Sequence, residues 1–504
     1  MRRLARLADR TPADRERYLD LLRAVAILLV VLGHWLIATI YHDQHGRPDG
    51  HSALPAMPWA YPLTWAVQVM PLFFLVGGYA NAASLAAHRS RDGDTTGWLL
   101  GRSARLLRPT TALVLVLAGG AVIARLVGAD PGEVRAVVWF ATIPLWFLAA
   151  YLAVVPMTPL MYALHRRFGW AVPAALALLV ALGDLGRGFG PAELALPNYL
   201  LGWLAVHQLG FAWYDARRGA CAPAGGAAGA PAGGAAGAPA GGASPTGRSG
   251  NRPTGLRRIR GRCLPMSRRA ALLMTAAGLT VAVLLTGPGP YPVNMISLPG
   301  ERLANAGPPS VALLAVASAQ LGVILLLRER AERWLHRSRP WQAVIAVNAV
   351  VLTVFLWHLS AVILLVGALD ALGVLPTPAA GTAAWFAWRL PWLLMLSVVL
   401  AGLVAIFGPI EARTGRSTAD RSTPGHRAAG RPRGDGRPAG RWAAAARSAL
   451  AVGGYAAVVY ALAANSTTAK TAPEAFGLPA DALVAYLAGA GTLRLLRSGW
   501  GSRG

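Results

Sequence analysis

Residues 17–35 read RYLDLLRAVAILLVVLGHW, an apolar stretch long enough for a membrane helix that nevertheless carries Arg23 and His34. An ionisable side chain at the centre of a bilayer costs about 3 kcal/mol or more, so it usually faces the protein interior and has a function. The two residues are eleven positions apart, so they share one helix face and lie roughly 16 Å apart along the axis. Asp20 falls on the same face, and its spacing predicts an ion pair with Arg23.

The composition is that of a membrane protein. Of 504 residues, 55% are hydrophobic and 14% are charged, and so few charges cannot cover a soluble protein of this size. The net charge of +26 comes from arginines clustered between apolar segments, as the positive-inside rule places them, which argues against nucleic-acid binding. We predict an all-α fold: a polytopic transmembrane bundle of about 10–12 helices in a bacterial cell membrane, with a cytoplasmic N-terminus.

Apolar runs and low-complexity segments divide the chain. A basic N-terminus (1–17) precedes a predicted membrane domain at 18–410, which is followed by a basic disordered linker (411–445) and a weakly hydrophobic C-terminal helix pair (446–504). A disordered cytoplasmic insert is predicted at 219–268, because its GAPAGGAA repeats have nothing to bury. The predicted spans are 21–41, 61–87, 110–128, 137–163, 169–187, 196–214, 270–287, 309–327, 341–367, 387–408, 446–464 and, weakly, 477–494.

An arginine cluster precedes the third predicted span. Arg102, Arg105 and Arg108 are spaced by three, which puts their guanidinium groups on one flank of a short helix, and Pro109 opens the span that follows. The cluster could simply satisfy the positive-inside rule. The functional alternative is a phosphate clamp, because guanidinium groups bind phosphate through paired hydrogen bonds.

Other polar residues occur within predicted spans. His358 lies in the middle of its span and is either a site residue or a packing residue. A further set could line the same cavity or bridge helices, and bridging is favoured for each of them: Gln68, Asn81, His207, Gln320 and Asn348. Asp184, near the end of its span, is predicted to be interfacial.

No metal site is predicted. The histidines at 42, 45 and 51 lie in a loop without a helical HExxH frame or a supporting cysteine. The two cysteines, Cys221 and Cys263, flank the basic insert that we place in the cytoplasm. That location implies no disulfide between them.

Several segments resemble, in order, those of the membrane-bound acyltransferase family 3. The first helix has the arginine, ten residues, then histidine pattern, here Arg23 and His34. MPLFFLVGGYANAASL (70–85), RSARLLRP (102–109), LWFLAAYL (145–152) and VFLWHLSAVIL (354–364) follow. The resemblance covers roughly residues 17–410. One departure is the FFxxSG pattern of the second segment, in which Val76-Gly77-Gly78 here replaces the serine, so no hydroxyl role is assigned at that position.

The resemblance implies an enzyme that transfers acyl groups other than aminoacyl groups. The expected donor is cytoplasmic acyl-CoA, above all acetyl-CoA, with no permanently bound cofactor, and the expected acceptor is a hydroxyl of a glycan, lipid or small molecule. It implies catalytic roles for His34, Arg23 and His358, His34 being chemically suited to act as a general base or a transient acyl carrier.

The same residues suggest a donor-binding site and also allow a different function. We expect Arg23 with Arg102, Arg105 and Arg108 to meet the CoA phosphates, and Asp20 to serve as a structural ion-pair partner. An alternative function is a secondary transporter or flippase for a lipid-linked or small polar substrate. Its signature would be inverted repeats, and no convincing repeat joins the halves of this chain.

Overall fold

The protein is an all-α bundle in a computed structural model that describes residues 15–219, 263–419, 441–470 and 472–498. Ten helices in these ranges are long and apolar enough to cross a membrane, which confirms the predicted polytopic bundle. The helices are α1 (Arg17–Ile37), α2 (Thr64–Val67), α3 (Met70–Arg89), α4 (Thr95–Leu126), α5 (Pro131–Thr142), α6 (Leu145–Phe168), α7 (Ala171–Phe189), α8 (Asn198–Arg217), α9 (Arg268–Thr286), α10 (Val311–Leu335), α11 (Ser338–Asn348), α12 (Val351–Ala371), α13 (Ala383–Ala419), α14 (Arg441–Thr467) and α15 (Ala480–Arg497).

Helix α1 packs against several other helices of the bundle. It contacts α3, α10, α11, α12 and α13, and an antiparallel hairpin follows it directly, β1 (Ala38–His42) paired with β2 (Pro48–Ser52). Where α1 begins, Arg17 donates a hydrogen bond of 2.9 Å to the carbonyl of Leu335 in α10. We call the side of the bundle where α1 begins the N side and the opposite side the hairpin side. One face of α1, with Leu28, Leu32 and Leu36, is exposed, whereas the face that packs on other helices can carry charged residues.

Helix α8 is buried along most of its length against α3, α6 and α7. It corresponds to the span predicted at 196–214, yet it is not among the helices apolar enough to count as spans. Its polar and aromatic side chains contact protein rather than lipid. Two glycines let its backbone meet that of α3: a Cβ atom at Gly78 would lie 2.1 Å from the His207 carbonyl oxygen, and one at Gly210 would lie 2.2 Å from that of Leu75. Such close crossings of small residues are typical of membrane helices.

Three predicted boundaries differ in the structure. Helix α4 continues through Pro109 instead of restarting there. The hydroxyls of Thr110 and Thr111 donate to the carbonyls of Leu106 and Leu107, at 2.9 and 2.7 Å, which satisfies polar groups beside the proline. Conversely, the predicted span 137–163 is divided between α5 and α6 just before Leu145, and 341–367 is divided between α11 and α12. The arginines before Pro109 therefore belong to a long helix of the bundle.

The C-terminal helices pack on the rest of the bundle. Helix α14 contacts α6, α15 contacts α4, and α14 but not α15 is apolar enough to span a membrane. The fully buried Arg135 of α5 anchors the end of α14, donating to Asn465 Oδ1 at 2.7 Å and to the carbonyls of Asn465 and Gly477 at 3.2 and 3.1 Å. Helical structure also reaches Ala419 and resumes at Arg441, so it enters both ends of the predicted 411–445 linker.

Most of the predicted insert at 219–268 lies outside the described residues. Its far end returns to the bundle, where the Leu264 amide donates to the Ala212 carbonyl of α8 at 3.1 Å. Cys263 is disulfide-bonded, so the expectation of no disulfide was wrong. The physical reason is that the insert leaves the bundle after α8 and rejoins it at α8, which holds its two ends together; Cys221 itself lies outside the described residues.

The intramembrane amides bridge helices, as favoured from the sequence. Gln320 donates to the carbonyls of Trp65 and Gln68, at 2.8 and 2.9 Å, and Asn348 donates to the Asp20 carbonyl at 2.9 Å. Asp184, predicted to be interfacial, lies near the end of α7 and is enclosed by protein. Its carboxylate is buried and accepts hydrogen bonds from Arg187, Asn198, Tyr291 and the Val311 amide. This aspartate ties α7, α8 and α10 together because four donors converge on it from different segments.

Candidate active site

Two histidines from different helices meet in the middle of the bundle. His34 of α1 and His358 of α12 face each other with His34 Nδ1 and His358 Nε2 3.2 Å apart and ring centroids 5.1 Å apart. His358 is fully buried, whereas His34 is partly accessible. The sequence placed each histidine in a span but gave no indication that the two touch.

The hydrogen bonds of the pair assign its protons. His358 Nδ1 lies 2.6 Å from the Phe355 carbonyl, and His34 Nδ1 lies 2.9 Å from the Val30 carbonyl. A carbonyl oxygen can only accept, so both Nδ1 atoms carry hydrogen in the neutral pair. The single hydrogen of His34 Nδ1 is then shared between two acceptors, the Val30 carbonyl and His358 Nε2. His34 Nε2 is left with its lone pair, which is the form of imidazole that acts as a base.

Tryptophans hold the two helices in register beside this pair. The indole of Trp35 in α1 donates to the His358 carbonyl at 3.0 Å, and that of Trp392 in α13 donates to the Trp35 carbonyl at 3.0 Å. Arg389 closes the end of α1 by donating to the Ala38 carbonyl at 2.8 Å, and its guanidinium lies 4.3 Å from the centre of the Trp385 ring. Sequence reasoning missed these braces, because a tryptophan in an apolar helix is usually a packing residue.

Arg23 lies toward the N side on the same helix. Its Nη1 atom is 3.2 Å from Asp20 Oδ1, and Arg15 Nε is 2.8 Å from the other oxygen of that carboxylate. Asp20 is buried, while 36% of the Arg23 side chain remains exposed. The carboxylate therefore fixes the guanidinium without covering it, and leaves donors free for a ligand.

Arg105 of α4 links the charges of the α4 cluster to that of Arg23. Arg105 interacts electrostatically with Arg102, Arg23 and Arg15. Arg105 and Arg108 are both exposed, and neither makes an ion pair or a hydrogen bond with the part of the chain that the structure describes. Like charges that interact in this way favour an anion beside them. Arg105 thus connects Arg23 and Arg102 electrostatically.

Buried groups that the sequence did not single out for this role support the cluster. Arg102 donates to the amide oxygen of Asn81, whose nitrogen lies 3.1 Å from His207 Nε2, and both of these partners are fully buried. Glu411 of α13 interacts electrostatically with Arg105, but its carboxylate accepts from the amides of Leu352 and Thr353 at the start of α12, at 3.1 and 2.8 Å. That carboxylate caps α12 and carries a single negative charge, which cannot neutralise both Arg102 and Arg105.

The hairpin-side histidines make local pairs. His42 Nε2 lies 3.1 Å from Asp370 Oδ1, and His45 Nδ1 lies 3.7 Å from Asp43 Oδ2. Among the described residues, no group of three or more histidines, cysteines or acidic residues could hold a metal ion.

Comparison with known proteins bears on this arrangement. The acyltransferase 3 family model, described as an acyltransferase domain, matches residues 16–410. No curated protein and no solved structure matches the chain significantly. The matched region contains α1, α4 and α12 with the residues of the site, whereas α14 and α15 lie beyond it. The chain is a multi-pass membrane protein that belongs to the acyltransferase 3 family.

Proposed function

We propose that this protein is an O-acyltransferase that moves an acyl group, acetyl above all, from cytoplasmic acyl-CoA to a hydroxyl of a glycan, lipid or small molecule. The observation that carries the proposal is the His34–His358 pair, which leaves His34 Nε2 as a partly accessible base inside the bundle. A hydroxyl is a weak nucleophile, and a positioned base is what activates it.

The arginines supply the donor end. Arg23, Arg102 and Arg105 form a cationic group on the N side, and CoA is the anionic partner that the family's chemistry offers. Arg23 and His34 lie roughly 16 Å apart on one helix. A CoA held by its phosphates at the arginines would extend its pantetheine arm along α1 toward the histidines. Because acyl-CoA is cytoplasmic, the N side faces the cytoplasm in this proposal, in agreement with the positive-inside rule.

In the proposed reaction, His34 first accepts a proton and later donates it. His34 Nε2 takes the proton of the acceptor hydroxyl while the oxygen attacks the thioester carbonyl. The resulting imidazolium is stabilised by its Nδ1–H bond to His358 Nε2. When the tetrahedral intermediate collapses, the carbon–sulfur bond breaks, the ester forms, and the sulfur leaves with the proton from His34 Nε2. His358 does not contact the reacting atoms in this scheme and is a positioning residue.

Purified full-length protein in detergent tests the proposal with acetyl-CoA, release of free thiol being the readout and water serving as the hydroxyl acceptor. We expect His34→Ala to lower the rate at least about a hundredfold, the range for loss of a general base. His45→Ala, at an exposed histidine of the hairpin, is the control and should match the wild type. Normal acyl transfer by His34→Ala would refute the base assignment. Net transport of a polar solute without any dependence on acyl-CoA would favour the transporter alternative.

A further inference from the structure

A missing side chain on α3 makes room for a tyrosine of α6. A Cβ atom at Gly77 would lie 2.8 Å from Cε2 of Tyr151 and 3.4 Å from its hydroxyl oxygen. Gly77 is the position where this chain lacks the serine of the resembling pattern. The Tyr151 ring thus fills the space that any side chain at 77 would need, and it brings a hydroxyl with it.

The Tyr151 hydroxyl has no protein partner among the described residues. Tyr151 is only partly buried, in contrast to its neighbour Phe74, which is fully buried with its ring centroid 6.1 Å away. Other tyrosines of the bundle do find partners, and Tyr162 of the same helix donates to Asp215 at 2.8 Å. A phenol inside a bundle normally has a hydrogen-bond partner. An unpaired, partly accessible phenol is suited to bind a ligand.

Tyr151 lies between the two ends of the proposed site. It interacts electrostatically with Arg105 on the N side. In the other direction an aromatic series connects it to the histidines: its ring is 6.2 Å from Phe147, Phe147 is 5.5 Å from Phe355, and Phe355 is 6.1 Å from His358. If the donor phosphates bind at the arginines and the thioester lies at His34, the part of the donor beside Tyr151 is the arm between them.

We propose that the Tyr151 hydroxyl, admitted by the absence of a side chain at Gly77, hydrogen bonds to the pantetheine arm of the acyl donor. This inference rests on the proposed function. Pantetheine contributes amide groups between the phosphates and the thioester, and an amide carbonyl is a good acceptor for a phenol. Tyr151 is accordingly a donor-binding residue that the sequence did not reveal.

A comparison of two donors, one with and one without the CoA phosphates, distinguishes the Tyr151 contact from the phosphate contacts. Acetyl-CoA carries the phosphates, whereas S-acetylpantetheine has the arm alone. We expect Tyr151→Phe to raise KM about three- to tenfold for both donors, the effect of losing one hydrogen bond, with little change in kcat. Arg105→Ala should raise KM for acetyl-CoA only. Tyr162→Phe removes a tyrosine hydroxyl from the same helix outside the site and should leave KM for both donors unchanged.

A paired substitution tests the Gly77 part. Gly77→Ala should raise KM as Tyr151→Phe does, because its Cβ atom must displace the ring. In the double variant Gly77→Ser/Tyr151→Leu, the hydroxyl in this space belongs to a serine of α3 instead of a tyrosine of α6. We expect the double variant to have a lower KM for S-acetylpantetheine than Tyr151→Leu alone.

The outcomes distinguish this inference from the proposed function. If the wild type releases thiol and Arg105→Ala and His34→Ala are impaired as expected, but Tyr151→Phe has the wild-type KM for both donors, the tyrosine contact is refuted alone. If Tyr151→Phe is impaired with acetyl-CoA but not with S-acetylpantetheine, the hydroxyl acts at the phosphate end and the inference is also wrong. A wild type that neither binds nor cleaves acetyl-CoA overturns both.

Discussion

Removal of the imidazole of His358 should slow acyl transfer without weakening donor binding. His358 Nε2 accepts from His34 Nδ1 at 3.2 Å, and this bond gains strength when His34 becomes an imidazolium. A hydrogen bond to a charged group contributes about 1.5–3 kcal/mol. A neutral bond at this place already contributes about 1 kcal/mol before proton transfer, so only the gain of about 0.5–2 kcal/mol affects kcat. His358→Leu should therefore lower kcat roughly 2- to 30-fold, at 1.4 kcal/mol per factor of ten, and leave KM for acetyl-CoA nearly unchanged.

The assay is steady-state thiol release from acetyl-CoA by purified protein, with thermal denaturation of each variant measured in the same detergent. His358→Gln keeps an acceptor near this position and should recover part of the lost kcat. His165→Leu is a matched control because His165 is also buried and its Nε2 lies 3.7 Å from Asp215, away from the site; it should lower stability but not kcat. A His358→Leu enzyme with wild-type kcat, or with an altered KM and normal kcat, would contradict the reasoning.

Two further predictions concern the supports of the site. Asn81→Leu removes the acceptor that holds Arg102 and should raise KM for acetyl-CoA about three- to tenfold, but not KM for S-acetylpantetheine; an equal change for both donors would argue against a phosphate role for Arg102. Arg135→Met leaves the buried Asn465 side chain and the Gly477 carbonyl without their donor and should destabilise the protein by about 3 kcal/mol, seen as a lower midpoint of thermal denaturation, whereas the exposed Arg91→Met should not.

The sequence predicts the fold well because the membrane imposes a simple pattern. Hydropathy and helix length located all ten apolar spans, including the one at α14. The pattern failed where lipid does not contact the helix. Helix α8 is too polar to count as a span since its neighbours are protein. Helix breaks were also misplaced, because a membrane helix can continue through a proline such as Pro109, which removes one backbone hydrogen bond, that to the Arg105 carbonyl.

The site was only half readable from the sequence. Arg23 and His34 stand out because ionisable residues in an apolar helix are costly, and periodicity puts them on one face. The contact of His34 with His358 is a tertiary fact across more than 300 positions of chain. The bonds of Asn81 and the space above Gly77 likewise depend on how α3 crosses α8 and α6. No local pattern encodes such crossings, so these roles became visible only in the structure.

The two ends of the proposed reaction are set by one helix. Arg23 and His34 belong to α1, whose start is tied to Leu335 and whose end is tied to Arg389 and Trp392. A helix braced at both ends keeps the separation of these side chains nearly constant. Under the proposed function, a donor must then be long enough to contact the arginines and the histidine at once. A small thioester that lacks the pantetheine arm could reach His34 only without contacting the arginines. The enzyme should therefore prefer long donors such as acyl-CoA to short thioesters.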